Sequence, residues 1–296
     1  MKILVTGALG QLGNELKWCF DNKKSRLGTP EVLKQDNIVT YVDIDTLDIS
    51  NLDNVLDFIK NGAFDVVINC AAFTNVDKCE EEIDLAYKAN SLGPRNLAIA
   101  CDMIGAKLVH ISTDYVFEGN GVTPYKEYDE THPNSIYGKT KDMGEKFVRE
   151  FCKKHFIVRT AWLYGYVGRN FVKTMLDLAT KHPSLKVVND QRGNPTNASD
   201  LAHHILKLIT TDEYGTYHGT CNGDCTWYDF TCEIMRLAGK DIPVNPCTTE
   251  EFPRPAKRPA YSCLDNMMFR TTVGDEFRMW QDALKEYLDN LKGEIL

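Results

Sequence analysis

The sequence predicts an α/β protein in which a doubly wound parallel sheet carries a smaller, interwoven carboxy-terminal lobe. Three observations predict it. Short apolar strands alternate with helical stretches through the first half, the pattern of a parallel sheet covered by helices on both faces. An apolar run at the amino terminus leads straight into Gly7, Gly10 and Gly13, three glycines three residues apart. Beyond Thr160 the pattern breaks into short segments interrupted by Gly165, Gly168, Pro183, Gly193 and Pro195, where a second lobe begins.

Taken in order, residues 3–5 form the first strand, and Leu12, Leu16 and Phe20 recur at helical spacing over residues 11–20. Residues 21–37 exceed a usual helix-to-strand connection and carry Gly28-Thr29-Pro30, so they read as a surface excursion. Residues 38–42 are the second strand, followed by a helix over 51–60 opened by Ser50 as its cap. The third strand covers 66–70 and is followed by one long helix over 80–104; the fourth strand covers 107–111, with a helix over 135–154 and a fifth strand over 156–159. Residues 185–188 read as a further strand of the same sheet and 201–209 as another covering helix, so the chain returns to the first domain before leaving again. The dinucleotide-binding domain is therefore expected over 1–160 plus about 185–215, and the substrate lobe over about 161–184 plus 216–296. That lobe holds a helix over 227–237, the proline-rich stretch 253–259 and a closing amphipathic helix over 279–291.

Composition bounds the function. With 43% hydrophobic and 26% charged residues the chain reads as an ordinary globular protein, and no apolar run approaches the ~20 residues a bilayer demands. Residues 1–13 read as strand and turn rather than a signal peptide, which places the protein in the cytoplasm. A net charge of -8 argues against general nucleic-acid binding and leaves room for a small anion at a local basic cluster. The ten cysteines contain no Cys-x-x-Cys pair, and Cys221 and Cys225 lack a matching second pair, so they read as reduced thiols rather than a zinc site.

The glycine turn suits a diphosphate. One glycine permits the tight turn, a second lets the backbone approach the phosphates, and a third lets the helix pack on the strand, with the helix dipole facing the anion. Asp43 closes the second strand, where a carboxylate accepts hydrogen bonds from a ribose 2′-hydroxyl and repels a 2′-phosphate, which favours NADH over NADPH; the alternative is a solvated strand-end aspartate. Tyr137 and Lys141 form the only Tyr-x-x-x-Lys of the chain, and a helix puts both on one face, where a cation lowers a phenol toward proton transfer. Such a pair is also expected about once by chance. Its position, after a strand ending in Ser112-Thr113 that borders the cofactor crevice, separates it from chance.

The phosphate turn, Asn69-Cys70-Ala71-Ala72, Ser112-Thr113-Asp114 and the Tyr137/Lys141 pair together resemble the extended short-chain dehydrogenase/reductase family, with its Rossmann-like sheet. Residues 112–119, 159–165 and 190–196, with Arg258-Pro259, Ser262 and Leu264, are similar to the dTDP-4-dehydrorhamnose reductases of that family, essentially end to end. The resemblance implies NAD(P)H-dependent reduction of the C4 ketone of dTDP-4-dehydro-L-rhamnose to dTDP-L-rhamnose, a sugar donor for bacterial surface polysaccharide. It implies that Tyr137 is the general acid, that Lys141 holds the nicotinamide ribose and that Thr113 hydrogen-bonds the reacting oxygen. Gly7, Gly10, Gln11, Leu12 and Gly13 would line the cofactor phosphates, Asp48 and Ile49 the adenine, and Ala71, Ala72 and Phe73 the ribose and nicotinamide side. Asp114 and Trp162 would contact the sugar, although a tryptophan after a strand also serves as core packing. Arg254, Lys257 and Arg258 are the basic cluster that a substrate diphosphate needs, or else a solvated proline-rich loop.

Some members of this family dimerise through Mg2+ held by glutamates. Glu15 matches one such position, but Asn197-Ala198-Ser199-Asp200 offers no glutamate where a second is expected, which argues against a metal-bridged dimer and leaves monomer and homodimer open. Two rivals share the fold. Nucleotide-sugar dehydratases and epimerases form one, but a dehydratase needs an Asp-Glu pair where Asp114 is followed by Tyr115. The other is a non-catalytic regulatory subunit similar to the methionine adenosyltransferase beta subunit, against which the intact Thr113, Tyr137 and Lys141 set argues.

Overall fold

A computed structural model describes residues 1–293. Its centre is a six-stranded parallel sheet. Strands β1 (Lys2–Thr6), β2 (Ile38–Val42), β3 (Val66–Asn69), β4 (Lys107–Thr113) and β5 (His155–Thr160) are joined by Gly215–His218, in the order Gly215–His218, β5, β4, β3, β1, β2. The period-2 geometry of each strand sorts its side chains between two cores. Ile3 and Val5 enter one cluster with Ile68, Val109 and Val158, while Leu4 enters the other with Val67, Leu108 and Ile157. The inner strands, covered on both faces, carry fully buried apolar runs at 3–5, 66–68 and 156–158, whereas the edge strand β2 leaves Ile38 exposed.

Helix α1 (Gln11–Asn22) and the helix Ala198–Leu208 cover the first face. Helices α2 (Leu52–Gly62), α3 (Val76–Glu81), α4 (Ile83–Tyr87), α5 (Gly93–Ile104) and α6 (Ile136–Phe151) follow along the chain, with α2, α5 and α6 closing the second face. Because the chain steps from β1 to β2 on one side and then to β3 on the other, the crevice at the carboxyl ends of β1 and β3 is the topological switch point. A smaller lobe surrounds a separate cluster of Tyr164, Val172, Leu185, Phe230, Trp280 and Tyr287. No helix among the described residues is long and apolar enough to cross a membrane.

The structure corrects several sequence expectations. Helix α2 is capped by Asn51, whose side chain accepts the Asn54 N–H at 3.1 Å, because Ser50 has already turned its own N–H to Asp48. The single helix expected over 80–104 is three pieces, broken at Glu82 and passing through a π-helical turn, Lys88–Leu92, before α5. Pro94 explains that wide turn: it has no N–H for the Asn90 carbonyl, which packs on Gly144 of α6 so closely that a Cβ there would lie 2.2 Å away. The strand Leu185–Val188 pairs in parallel with Val244–Cys247 inside the smaller lobe and does not return to the main sheet. Its place is taken by Gly215–His218, paired with β5, a segment too short and mixed for its periodicity to stand out. The excursion over 21–37 contains a 3-10 turn, Glu31–Lys34, that buries Val32 and Leu33.

Candidate active site

The phosphate turn is built by contact as much as by conformation. Gly7 has φ +63°, and a Cβ on it would stand 2.6 Å from the Ala71 backbone nitrogen, so β3 closes against it. A Cβ on Gly13 would stand 2.5 Å from the Gly7 carbonyl, which seats α1 on the strand. Gly10 is exposed and meets only the Gly7 carbonyl, at 3.2 Å, leaving the surface above it open. It is also the N-cap of α1, with no side-chain cap and no acidic residue in the first turn. An anion fits there. Gln11 reaches the smaller lobe, accepting from Asn170 at 3.2 Å and donating to the Leu163 carbonyl at 3.5 Å. The Leu12 side chain lies in the core, so only its backbone faces the turn.

Asp43 accepts the Leu9 N–H at 3.0 Å and the Ile44 N–H at 2.9 Å, one on each carboxylate oxygen, and thereby ties the end of β2 to the turn. Asp48 is exposed and caps Ser50, whereas Ile49 is buried against Gly93, so the structure does not bring these two together at one open surface. Ala71, Ala72 and Phe73 are half-buried beyond β3. Phe73 is gripped by a residue the sequence reading missed. Asn90, in the π-helical turn, accepts the Phe73 N–H at 2.8 Å, donates to its carbonyl at 3.0 Å and reaches Thr140 of α6 at 3.2 Å. The available signal was Pro94, four residues on, which marks a helix that cannot run straight.

Thr113 ends β4, and Ser135 caps α6 by accepting the Gly138 N–H, so Tyr137 and Lys141 leave the first turns of α6 toward that strand end. Thr113 donates to Asp114 at 2.9 Å, and its hydroxyl lies near that of Tyr137. Burial pushes the Tyr137 phenol up, Thr113 pulls it back, and Asp114 adds to the rise. Asp114 is buried, and burial raises its carboxyl to about 6, opposed by the Ser262 hydroxyl nearby and by the Thr113 hydrogen bond. Its Oδ2 has no partner of hydrogen-bonding geometry. Lys141 does not point its ammonium at the phenol: it donates to the Ile111 carbonyl at 2.6 Å, while burial pulls it down to about 8 and Glu145 and Cys70 oppose. Glu145 is a second missed residue. Although burial resists its ionisation, Arg159, Arg149 and Ser112 hold it down at about 2, and its bonds to Arg159 at 2.7 Å and Ser112 at 2.5 Å pin α6 to β5 and β4.

Around this centre lie the remaining predicted residues. Trp162 has φ +46° and stacks on Trp227 with ring centroids 3.4 Å apart at 7°, so one face of its indole is already covered. Gly193 abuts its edge, where a Cβ would lie 2.6 Å away. Arg258 pairs with Asp77 at 2.9 Å and donates to the Tyr115 hydroxyl at 3.3 Å; Arg254 is half exposed and Lys257 exposed. A narrow pocket beside Tyr115 is lined by Phe117, Asn134, Ser135, Lys257 and Arg258.

Glu15 does not present a metal site. It is buried, and its carboxylate takes the Arg26 guanidinium at 3.0 Å, which itself lies 4.3 Å from the Trp18 ring and 4.2 Å from that of Tyr166. Burial raises Glu15 and Arg26 opposes that rise. Asp200, in the segment expected to supply a second ligand, is bound by Arg278 at 2.6 Å. Both carboxylates already have a cation, so the residues present do not fit Mg2+.

The RmlD substrate binding domain family matches residues 1–292. The chain is 40% identical to a dTDP-4-dehydrorhamnose reductase of Aggregatibacter actinomycetemcomitans, over 96% of this chain and 97% of the relative. Among solved structures it is similar to a dTDP-4-dehydrorhamnose reductase from Clostridium acetobutylicum, with TM-score 0.93 and 53% identity over 99% of this chain and 100% of that one. It is also similar to a Bacillus anthracis dTDP-4-dehydrorhamnose reductase in complex with NADP, with TM-score 0.91 and 40% identity over 98% and 99% of the two chains.

Proposed function

The chain belongs to the RmlD substrate binding domain family, and on that premise we infer that it reduces the C4 ketone of dTDP-4-dehydro-L-rhamnose to dTDP-L-rhamnose with NAD(P)H. The observation that carries the reading is the meeting of Thr113, Asp114 and Tyr137 at the carboxyl end of β4, next to the glycine turn's switch point.

When bound, the reduced nicotinamide supplies the hydride. The chain supplies the rest. Tyr137, held protonated through neutral pH by its burial, donates the proton that the ketone oxygen gains, and Thr113 gives that oxygen a second hydrogen bond. Lys141 binds the cofactor ribose, with Glu145 sustaining its positive charge. The buried Oδ2 of Asp114, which takes no hydrogen bond from the protein, accepts from a hydroxyl of the sugar. Trp162 walls the sugar, and Arg254, Lys257 and Arg258 face its diphosphate.

The phosphate turn holds the cofactor diphosphate on Gly10, Gln11 and the Leu12 backbone. Asp43 favours NADH: no lysine or arginine occurs between Lys34 and Lys60, so nothing nearby in sequence offsets its charge against a 2′-phosphate. The test of the activity is oxidation of NADH or NADPH on adding the 4-keto sugar nucleotide to purified protein. Turnover is expected; protein that binds cofactor but turns over nothing refutes the reading in favour of a regulatory role.

A further inference from the structure

The basic stretch 253–259 belongs to the smaller lobe in sequence, yet one carboxylate of the main domain holds it at three points. Asp77, in the first turn of α3, forms an ion pair with Arg258 Nη2 at 2.9 Å and accepts the Ala256 N–H at 3.3 Å through Oδ1, while its Oδ2 lies 4.0 Å from Arg254 Nη1. The other terminal nitrogen of Arg258 donates to the Tyr115 hydroxyl at 3.3 Å. The Tyr115 ring in turn meets that of Tyr137 edge-on, with centroids 5.5 Å apart. A short chain of contacts thus runs from Asp77 through Arg258 and Tyr115 to the tyrosine that donates the proton.

We propose that Asp77 is a positioning residue, a clasp between the lobes that orients Arg258 for the diphosphate of the sugar nucleotide and steadies Tyr137 through Tyr115. This rests on the reading that the 253–259 loop takes that diphosphate. The chemistry of the guanidinium supports it. Five N–H donors lie in one plane; the Asp77 carboxylate pairs with one terminal nitrogen and the Tyr115 hydroxyl accepts from the other, which restricts the plane and leaves donors for an anion. An arginine fixed before binding has less rotamer freedom to lose when the phosphate arrives. The side chains of Asp77 and Arg258 are only 26% and 18% exposed, so the pair is largely shielded from solvent and held in place.

Titration calorimetry with dTDP alone, and separately with NADPH, distinguishes this from its rivals. Asp77→Asn is expected to weaken dTDP binding about tenfold, to leave cofactor affinity within about twofold, and to add nothing when combined with Arg258→Ala. Asp77→Glu should recover part of the loss, and in turnover Asp77→Asn should raise KM for the sugar nucleotide more than it lowers kcat. If Arg258→Ala leaves dTDP affinity intact, the diphosphate reading itself fails and the clasp has nothing to serve. If Arg258→Ala weakens binding while Asp77→Asn leaves it unchanged or tightens it, the diphosphate reading stands and the clasp is overturned, Asp77 being idle or a competitor for Arg258. An equal loss from Asp77→Asn in the Arg258→Ala background also overturns it, because the effect then bypasses Arg258.

Discussion

Replacing Asp114 by asparagine should make this protein more stable and less able to bind its sugar nucleotide. Burial lifts the Asp114 carboxyl from the ordinary 3.8 to about 6, so folding strips water from a charge that the interior does not fully compensate. A shift of that size corresponds to about 3 kcal/mol of lost stability wherever the group is ionised in both states. The sign follows from proton binding: between about pH 4 and pH 6 the folded protein holds a proton that the unfolded chain has released, so stability falls across that window and the penalty is complete above it. Asparagine keeps an acceptor for Thr113 but adds an amide needing a partner of its own, at a cost of roughly 1 kcal/mol, which leaves a net gain of roughly 1–2 kcal/mol near neutral pH. Urea unfolding of both proteins at about pH 5 and about pH 7 measures it, with the advantage of the variant growing by roughly 1 kcal/mol between the two. A variant that is less stable at neutral pH, or whose advantage is the same at both, refutes the argument that Asp114 is a buried, undercompensated charge. The same variant should raise KM for the sugar nucleotide, because its orphaned oxygen is the acceptor that a sugar hydroxyl satisfies.

Three further outcomes are expected. Tyr137→Phe should lose about 100- to 10,000-fold in rate while cofactor affinity stays nearly unchanged, measured by stopped-time assays and titration of cofactor; full activity would contradict the proton-donor role. The ratio of kcat/KM for NADH to that for NADPH should exceed one, and fall when Asp43 is changed to asparagine; strong selectivity for NADPH in the unaltered protein would refute the repulsion argument. Chelation by EDTA should change neither melting temperature nor oligomeric mass, because Arg26 already neutralises Glu15, whereas Arg26→Ala should destabilise the protein by about 3 kcal/mol through an uncompensated buried carboxylate.

The sheet and its site could be read from the chain where the signal is local. Consecutive apolar residues at 3–5 and 66–68, and glycines at fixed offsets, are dictated by burial on both faces and by phosphate approach, and both survive in a single sequence. The Tyr137 and Lys141 pair was legible because helical spacing is itself local. What stayed hidden depends on partners distant in sequence. Asn90 is meaningful only because Phe73, 17 residues earlier, needs both its backbone groups satisfied. Glu145 acquires its role from Arg159 and Ser112 on neighbouring strands. Leu185–Val188 looked like a main-sheet strand because its apolar character is the same whichever sheet it joins, and only Val244–Cys247, far along the chain, decides the matter. Glu15 shows the converse: its partner Arg26 comes from a stretch that reads as mere surface, and only the fold reveals the pairing.

The left-handed backbone at Trp162 has a consequence for how wide the cleft stands. An L residue held there stores about 1–2 kcal/mol, and the stack on Trp227 returns a comparable amount, so two indoles set the bend at which the chain crosses from one lobe to the other. Trp227 lies at the start of a helix in the smaller lobe, one ring behind the wall that Trp162 offers the sugar. A change at residue 227 therefore reaches the sugar wall through a single ring contact, without altering any group that handles the proton.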